Sequence, residues 1–440
     1  MSEAMRESAD DVELPKSLSL LQVTAGGVAI IVGAGIYVLL GPATERAGAL
    51  VWLAFLLSAV LCGLTAMSYM ELSSMFSRTG GEYEYAQQVF SPRLSFVIGW
   101  AMLSGLVVAS ATVALGFGRY TEYFVDVNPR IPAIVLLAAI AAFSVKGLHA
   151  AAWVIVILTC IEVGGLIFVS VIGASHIGDV NVFQGVSGSG ATQFNGLMSA
   201  VALVFFAFIG FDEVVTLSEE THDSRRNTPI ALALALLISA VLYVMVAVVA
   251  VSVLGAEDLA ASPYPLAEVA KAALGSASGD VMSALAMITT TSTVLLGVVA
   301  ASRMAFAMAR RSDLPRRLAR VNHNGSPQQA TLAVVLGASV FVLWGEFTVI
   351  AGATDALIYV MFLAVNVIVV ILRLRQPDAP RMFRIPWSIR NIPVFPILAF
   401  GVTVWMLTLL DVESLVIGAG ILASGVALYT VVHKVSGSPS

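Results

Sequence analysis

Twelve apolar runs divide the chain, each roughly the length a membrane-crossing helix needs. They cover 18–40, 48–75, 94–118, 131–146, 151–174, 196–218, 229–254, 280–309, 329–345, 353–374, 392–410 and 413–433, with polar or Pro/Gly-marked breaks between them. Runs this long and this continuously apolar predict helices that face lipid rather than amphipathic helices of a soluble core. Two of the twelve are interrupted from within. The first run carries Gly33, Ala34, Gly35 and Ile36 at its middle. The sixth reads Phe205-Phe206-Ala207-Phe208-Ile209-Gly210-Phe211-Asp212-Glu213.

Glycine weakens a helix and lets other backbone come close. A backbone group freed inside a membrane costs several kcal/mol unless it finds a partner, so broken helices occur where they meet protein or line a cavity. Interrupted helices at corresponding places in two halves of a chain point to a transporter's binding site. The half-helix that starts after the first break has a partly positive N-terminus, which suits a carboxylate. Gly33 and Gly35 also fit a close helix–helix contact, and the motif alone leaves both readings open. In the second break, Asp212 suits a cap for the following half-helix, and a carboxylate within a span is a functional-site hypothesis by default.

Composition agrees with the pattern. The 440 residues are 58% apolar and 12% charged, with a mean hydropathy of +0.92. A soluble domain has about 25% charged residues, so a polytopic all-α membrane protein is the class that fits. The net charge of −5 hides a strong asymmetry. With the N-terminus inside, the inner segments hold Arg6, Lys16, Arg78, Arg93, Lys146, Arg225, Arg226, Arg303, the run Arg310 to Arg320, Arg373 to Arg390 and Lys434. Only Arg46, Arg119, Arg130 and Lys271 fall outside. The positive-inside rule therefore predicts that both termini are cytoplasmic and that the number of spans is even. The acidic tail 1–17 carries no apolar run with a cleavage site, so no removable signal peptide is expected. Cys62 and Cys160 lie inside apolar runs and read as buried free thiols. The five histidines show no metal-ligand spacing, and no cofactor, metal or nucleic acid is expected. No phosphate loop or nucleophile elbow is present, and no ring of charges suggests a channel filter.

Four motifs, taken together, resemble the amino acid–polyamine–organocation superfamily, and within it the cationic amino acid transporter branch. They are Gly33-Ala34-Gly35-Ile36 with Gly41-Pro42; Tyr69-Met70-Glu71-Leu72 with Gly80-Gly81-Glu82-Tyr83 and Tyr85; the stretch 205–212 with Glu219, Glu220, Arg226 and Pro229; and Arg303 to Arg310 with Asp313-Leu314-Pro315 and Pro327. The resemblance implies a leucine-transporter-like fold with a 5+5 inverted repeat. Residues 18–174 and 196–374 would be the repeats, 392–433 two added helices, and 1–17 and 434–440 the tails. It further implies an amino acid substrate whose α-carboxylate and α-amino groups meet the backbone at 33–36 and 207–212. Phe206 would be a gating aromatic, and Asp212 would sit at a position tied to coupling.

Two positions depart from that pattern. Relatives on the cationic branch carry glutamate where this chain has Gly105, and a buried cationic side chain needs a counter-charge. A neutral or small substrate is therefore favoured over a cationic amino acid or a polyamine. Several relatives carry a lysine in the fifth helix where this chain aligns Cys160. For coupling to H⁺ or Na⁺, two candidates follow. Glu162, mid-span, could carry a proton. Thr291 and Ser292, with carbonyls near Ala29 and Val32, could hold a hard cation, although hydroxyls in such runs also bond back to their own helix. The expected function is a multi-pass cell-membrane permease working by alternating access, as a symporter or an exchanger.

Overall fold

A computed structural model describes residues 18–76, 81–145, 152–183, 185, 189–322 and 326–435. The tail 1–17, Arg78, Gly80, Lys146, His149, residues 186–188, His323 and the tail 436–440 lie outside them. Fifteen α-helices occur among the described residues. The first are α1 (Leu20–Ile31), α2 (Gly35–Ala47), α3 (Val51–Met75), α4 (Gly81–Gln87), α5 (Pro92–Glu122), α6 (Arg130–Val145) and α7 (Ala152–Gly173). After α8 (Gly190–Val204) come two 3-10 segments, Phe205–Phe208 and Asp212–Glu220. Then follow α9 (Ser224–Ala261), α10 (Pro265–Leu274), α11 (Ser276–Arg310), α12 (Gln328–Trp344), α13 (Phe347–Arg375), α14 (Val394–Leu407) and α15 (Val412–Val435). A two-residue hairpin, Ser388–Ile389 with Ile392–Pro393, lies between α13 and α14.

Among the described residues, eight helical stretches are long and apolar enough to cross a membrane, and four shorter apolar helices of 10–17 residues accompany them. Their outward faces confirm the solvent they are built for. On α9, Leu234, Leu237, Ile238, Val241 and Met245 are all exposed, and their spacing of one to four residues makes one continuous greasy stripe. The opposite face, with Leu232, Ala235, Leu236, Ser239, Leu242, Tyr243 and Val246, is buried. The chain is an all-α polytopic membrane protein.

Helix α3 lies along α9, α5 along α11, and α6 against α12. The added helices sit to one side: α14 packs on α13 and α3, and α15 on α13 and α5. There the Trp100 indole donates to the Ile421 carbonyl at 2.9 Å. Arg311, Arg373 and Arg375 gather at one end of the bundle, around Glu71, Glu84 and Val89, called here the basic end.

At the basic end, the start of the chain is stitched to the far half. The Leu18 N–H donates to the Glu220 carbonyl at 2.8 Å, and the His222 N–H donates to the Leu18 carbonyl at 2.9 Å. A buried ion cluster closes the same end. Glu71 of α3 holds Arg373 of α13 through two bonds of 2.5 and 2.6 Å and also meets Arg381 at 3.0 Å. It accepts the Ile385 N–H as well, at 3.0 Å. The loop that reads from sequence as a basic, proline-rich connector is thereby tied into the bundle.

Candidate functional site

Both predicted breaks are present. Helix α1 ends at Ile31 and α2 restarts at Gly35. Helix α8 ends at Val204, tightens through the 3-10 turn Phe205–Phe208, and reverses at Gly210 with φ +109°. That conformation belongs to glycine. The Asp212 carboxylate accepts the Gly210 N–H at 3.0 Å, so the acid caps the break it follows.

The two broken segments lie backbone to backbone and run antiparallel. A Cβ on Gly35 would stand 2.5 Å from the Ala207 Cα, and one on Gly210 would stand 2.7 Å from Ile30 Cγ2. Bare backbone on both sides is what permits this approach, so the close-contact reading of Gly35 and the broken-helix reading describe one arrangement. The segments together put Val32, Ala34, Ile36, Phe206, Ala207 and Asp212 into the buried centre.

The freed polar groups find partners that hydropathy conceals. The Tyr243 hydroxyl of α9 faces the carbonyls of Ile31 at 2.6 Å and Ala207 at 3.0 Å. One hydroxyl proton is thus shared between both breaks. Thr293 Oγ of α11 accepts the Ala34 N–H at 3.2 Å and donates to the Thr289 carbonyl at 2.9 Å. Beyond the breaks, the Tyr359 hydroxyl donates to the Ala202 carbonyl at 3.0 Å. Phe205 and Phe208 meet neighbouring rings edge to face, and Phe211 meets the Phe362 ring at a tilt. Phe206, though buried, makes no ring contact among the described residues. Tyr243→Phe should leave two carbonyls without a donor at a cost of about 1–3 kcal/mol. A lowered melting temperature in detergent would check this, and an unchanged one would show that the hydroxyl is dispensable.

The remaining candidates separate. Glu162 of α7 is buried, and the Ser292 hydroxyl of α11 donates to its carboxylate. Its own carbonyl accepts the Tyr37 hydroxyl at 3.3 Å, so it ties α7, α11 and α2 together. Ala29 and Val32 are buried in and beside α1. Two expectations need correction. Cys160 is exposed on the outer face of α7, two residues and about 200° around the helix from Glu162. The Thr291 hydroxyl bonds back to the Met287 carbonyl at 2.7 Å, and the side chain lines an apolar groove with Phe117, Leu158 and Ile288. The hydroxyl that meets the first break is that of Thr293. At Gly105 a Cβ would meet Ile358 Cδ1 at 3.2 Å and Leu357 Cβ at 3.8 Å, both on α13. Two acids were missed. Asp355 of α13 is fully buried with neither carboxyl oxygen hydrogen-bonded, and Glu82 of α4 is buried beside Asp212. Glu82 lies in a connecting helix, and burial, with Asp212 second, pushes its carboxyl up to about 8.

Comparison with known proteins fits this geometry. The amino acid permease family model matches residues 18–428. The branched-chain amino acid permease of Bacillus subtilis (strain 168) is 27% identical over 89% of this chain and 87% of its own length. The methylthioribose transporter of the same organism is 27% identical over 92% and 90%. Cationic amino acid transporter 2, vacuolar, of Arabidopsis thaliana is 30% identical over 83% of this chain and 61% of that protein. The family match runs through both broken helices into α15: the chain belongs to the amino acid permease family, a multi-pass membrane transporter of amino acids and not an enzyme.

Proposed function

We propose that this permease carries a neutral or small amino acid across the cell membrane by alternating access, driven by protons. The observation that carries the reading is the antiparallel crossing of the two breaks, 35 on 207 and 30 on 210. Unwound backbone there offers the α2 N-terminus to a carboxylate and the carbonyls near Ile31 and Ala207 to an ammonium. Phe206, with no ring of its own to stack on, is free to cover the ligand. Residues 33–36, Phe206, Ala207, Ile209, Gly210 and Asp212 are the proposed binding set.

Twelve crossings follow if α1 with α2, and α8 with its 3-10 segments, each count as one interrupted span. Both termini then lie at the basic end, which the positive-inside rule makes cytoplasmic. The repeats would be 18–174 and 196–374. Support comes from the pairing of α3 with α9, α5 with α11 and α6 with α12, each a helix with its counterpart in the other half.

The absence of a carboxylate at Gly105, whose position is filled by Ile358 and Leu357, favours a neutral ligand over a lysine-like one. A proton is favoured over sodium because Thr291 turns away from Ala29 and Val32 and Ser292 is engaged by Glu162. Uptake of a labelled amino acid panel into proteoliposomes, with proton and sodium gradients imposed separately, tests each part. Proton-driven uptake of neutral amino acids is expected. Uptake confined to lysine, arginine or polyamines would overturn the substrate class. A requirement for sodium would overturn the coupling, and no uptake under any gradient would sink the reading.

A further inference from the structure

Helix α4 is too short to cross a membrane and lies at the basic end between α3 and α5. One side of it is fixed. The Tyr83 hydroxyl donates to the Asp313 carboxylate, and Arg311 lies 5.3 Å over the Tyr83 ring. Arg311 also meets Glu84 at 3.3 Å and bonds the Gln87 side chain. A Cβ on Gly99 would touch the same ring at 2.7 Å, so α4 sits flush on α5 and is tied to the segment that follows α11.

The other side of α4 turns toward the second break. Glu82 is 1% exposed and lies against Asp212, which is 4% exposed. The Tyr69 hydroxyl of α3 is beside them, wholly buried and without a hydrogen-bond partner, as is Glu82 Oε1. Neither acid forms an ion pair among the described residues. The nearby charges are otherwise engaged: Arg373 by Glu71, Arg375 by the Val89 carbonyl, and Glu84 by Arg311. Tyr85 of α4 is buried, and Glu213 follows Asp212 in the chain. Rings of Phe211 and Phe362 pack on Tyr69 at 5.6 and 5.9 Å, which keeps the surroundings apolar. Two neighbouring carboxyls in such a place, on segments that pack together, cannot both stay charged, and one proton shared between them removes the repulsion.

We propose that Glu82 and Asp212 form a binding site for one proton that holds α4 against the second break, so that the cytoplasmic side opens as this proton leaves. The proposal rests on the alternating-access reading above. It gives the permease a proton-carrying element joining a fixed helix to a broken one. It also explains why Asp212 is placed to do two things at once: one oxygen holds the Gly210 N–H, and the carboxyl as a whole faces Glu82.

The sign follows from the carboxyl that changes surroundings. Closed, Glu82 is pushed up to about 8 by burial and by Asp212; opened to water, a glutamate titrates near about 4.3. A group raised in the closed state stabilises closure fully below the open value and loses that contribution as pH rises through the closed one. Opening should therefore increase about tenfold per pH unit between those limits and level off above them.

Hydrogen–deuterium exchange of the full-length protein in nanodiscs, without sodium or substrate, reads this directly. After correction for the pH dependence of chemical exchange, peptides spanning 81–87 and 212–220 should lose protection about tenfold per unit from pH 5 to 8. Glu82→Gln should flatten that slope, and Glu162→Gln should leave it intact. A wild-type slope of zero, a Glu82→Gln slope equal to wild type, or loss of the slope in Glu162→Gln would each overturn the proposal. Failure of amino acid uptake would instead overturn the function reading, since the exchange measurement needs no substrate.

Discussion

Gly35→Ala is expected to cut the initial rate of amino acid uptake about tenfold to a hundredfold, while Gly164→Ala leaves it unchanged. The two substitutions add the same methyl group within the membrane. On Gly35 that methyl would stand 2.5 Å from the Ala207 Cα and 2.7 Å from its Cβ. The nearest of these atoms is backbone, so no side chain can swing aside. Forced overpacking costs about 1–3 kcal/mol, and if one state of the transport cycle bears that strain, each 1.36 kcal/mol is worth about tenfold in rate. On Gly164 the methyl would meet nothing within 4 Å. Rates measured in proteoliposomes, normalised to the amount of protein reconstituted, check the pair. Equal rates for wild type and Gly35→Ala would mean that the crossing of the breaks is not kept through the cycle.

The largest stability effect should come from Glu71→Ala. This carboxylate is 1% exposed and lies within 3.0 Å of two guanidiniums, those of Arg373 and Arg381, whose side chains are 0% and 3% exposed. Its removal leaves two buried cations facing one another, and breaking a buried pair by removing one partner costs about 3–5 kcal/mol. It also releases the Ile385 N–H, held at 3.0 Å, and with it the loop leading to α14. The control is Glu84→Ala, which breaks a pair whose arginine is 47% exposed and should cost no more than about 1 kcal/mol. Thermal unfolding of purified protein in detergent compares them. Equal melting temperatures for the two variants would show that the cluster is held by the surrounding chain rather than by its charges.

The helices and both breaks were legible because each is a local property of the chain. Length and apolarity mark a crossing helix, and glycine marks where it fails. The partners of the breaks were not legible. Tyr243 reads in sequence as one more large residue in an apolar run, and its hydroxyl acquires meaning only when α9 is placed against two segments far away in the chain. The choice of Thr293 over Thr291 depends on a rotation of about 200° around α11, which a run of five hydroxyl residues cannot reveal. The same reasoning explains Cys160 and Glu162, two residues apart and facing opposite ways. Glu71 and Arg373 were both visible as charges at span ends, but no local rule joins residues 302 apart. Glu82 stood in a quoted motif and was passed over because a connecting loop is expected to be wet, whereas α4 is packed beneath the second break.

The strand-like pairing of Leu18 with residues 220–222 has a mechanical consequence. Two hydrogen bonds fasten the start of α1 to the end of the Asp212–Glu220 segment, and the same two segments cross again at the breaks. Joined at both places, the basic-end halves of the broken helices form one lever whose fulcrum is the crossing of Gly35 on Ala207 and Ile30 on Gly210. A single tilt of that lever would sweep both half-helices together, so the inner side has one hinge to move and no relative slip to coordinate.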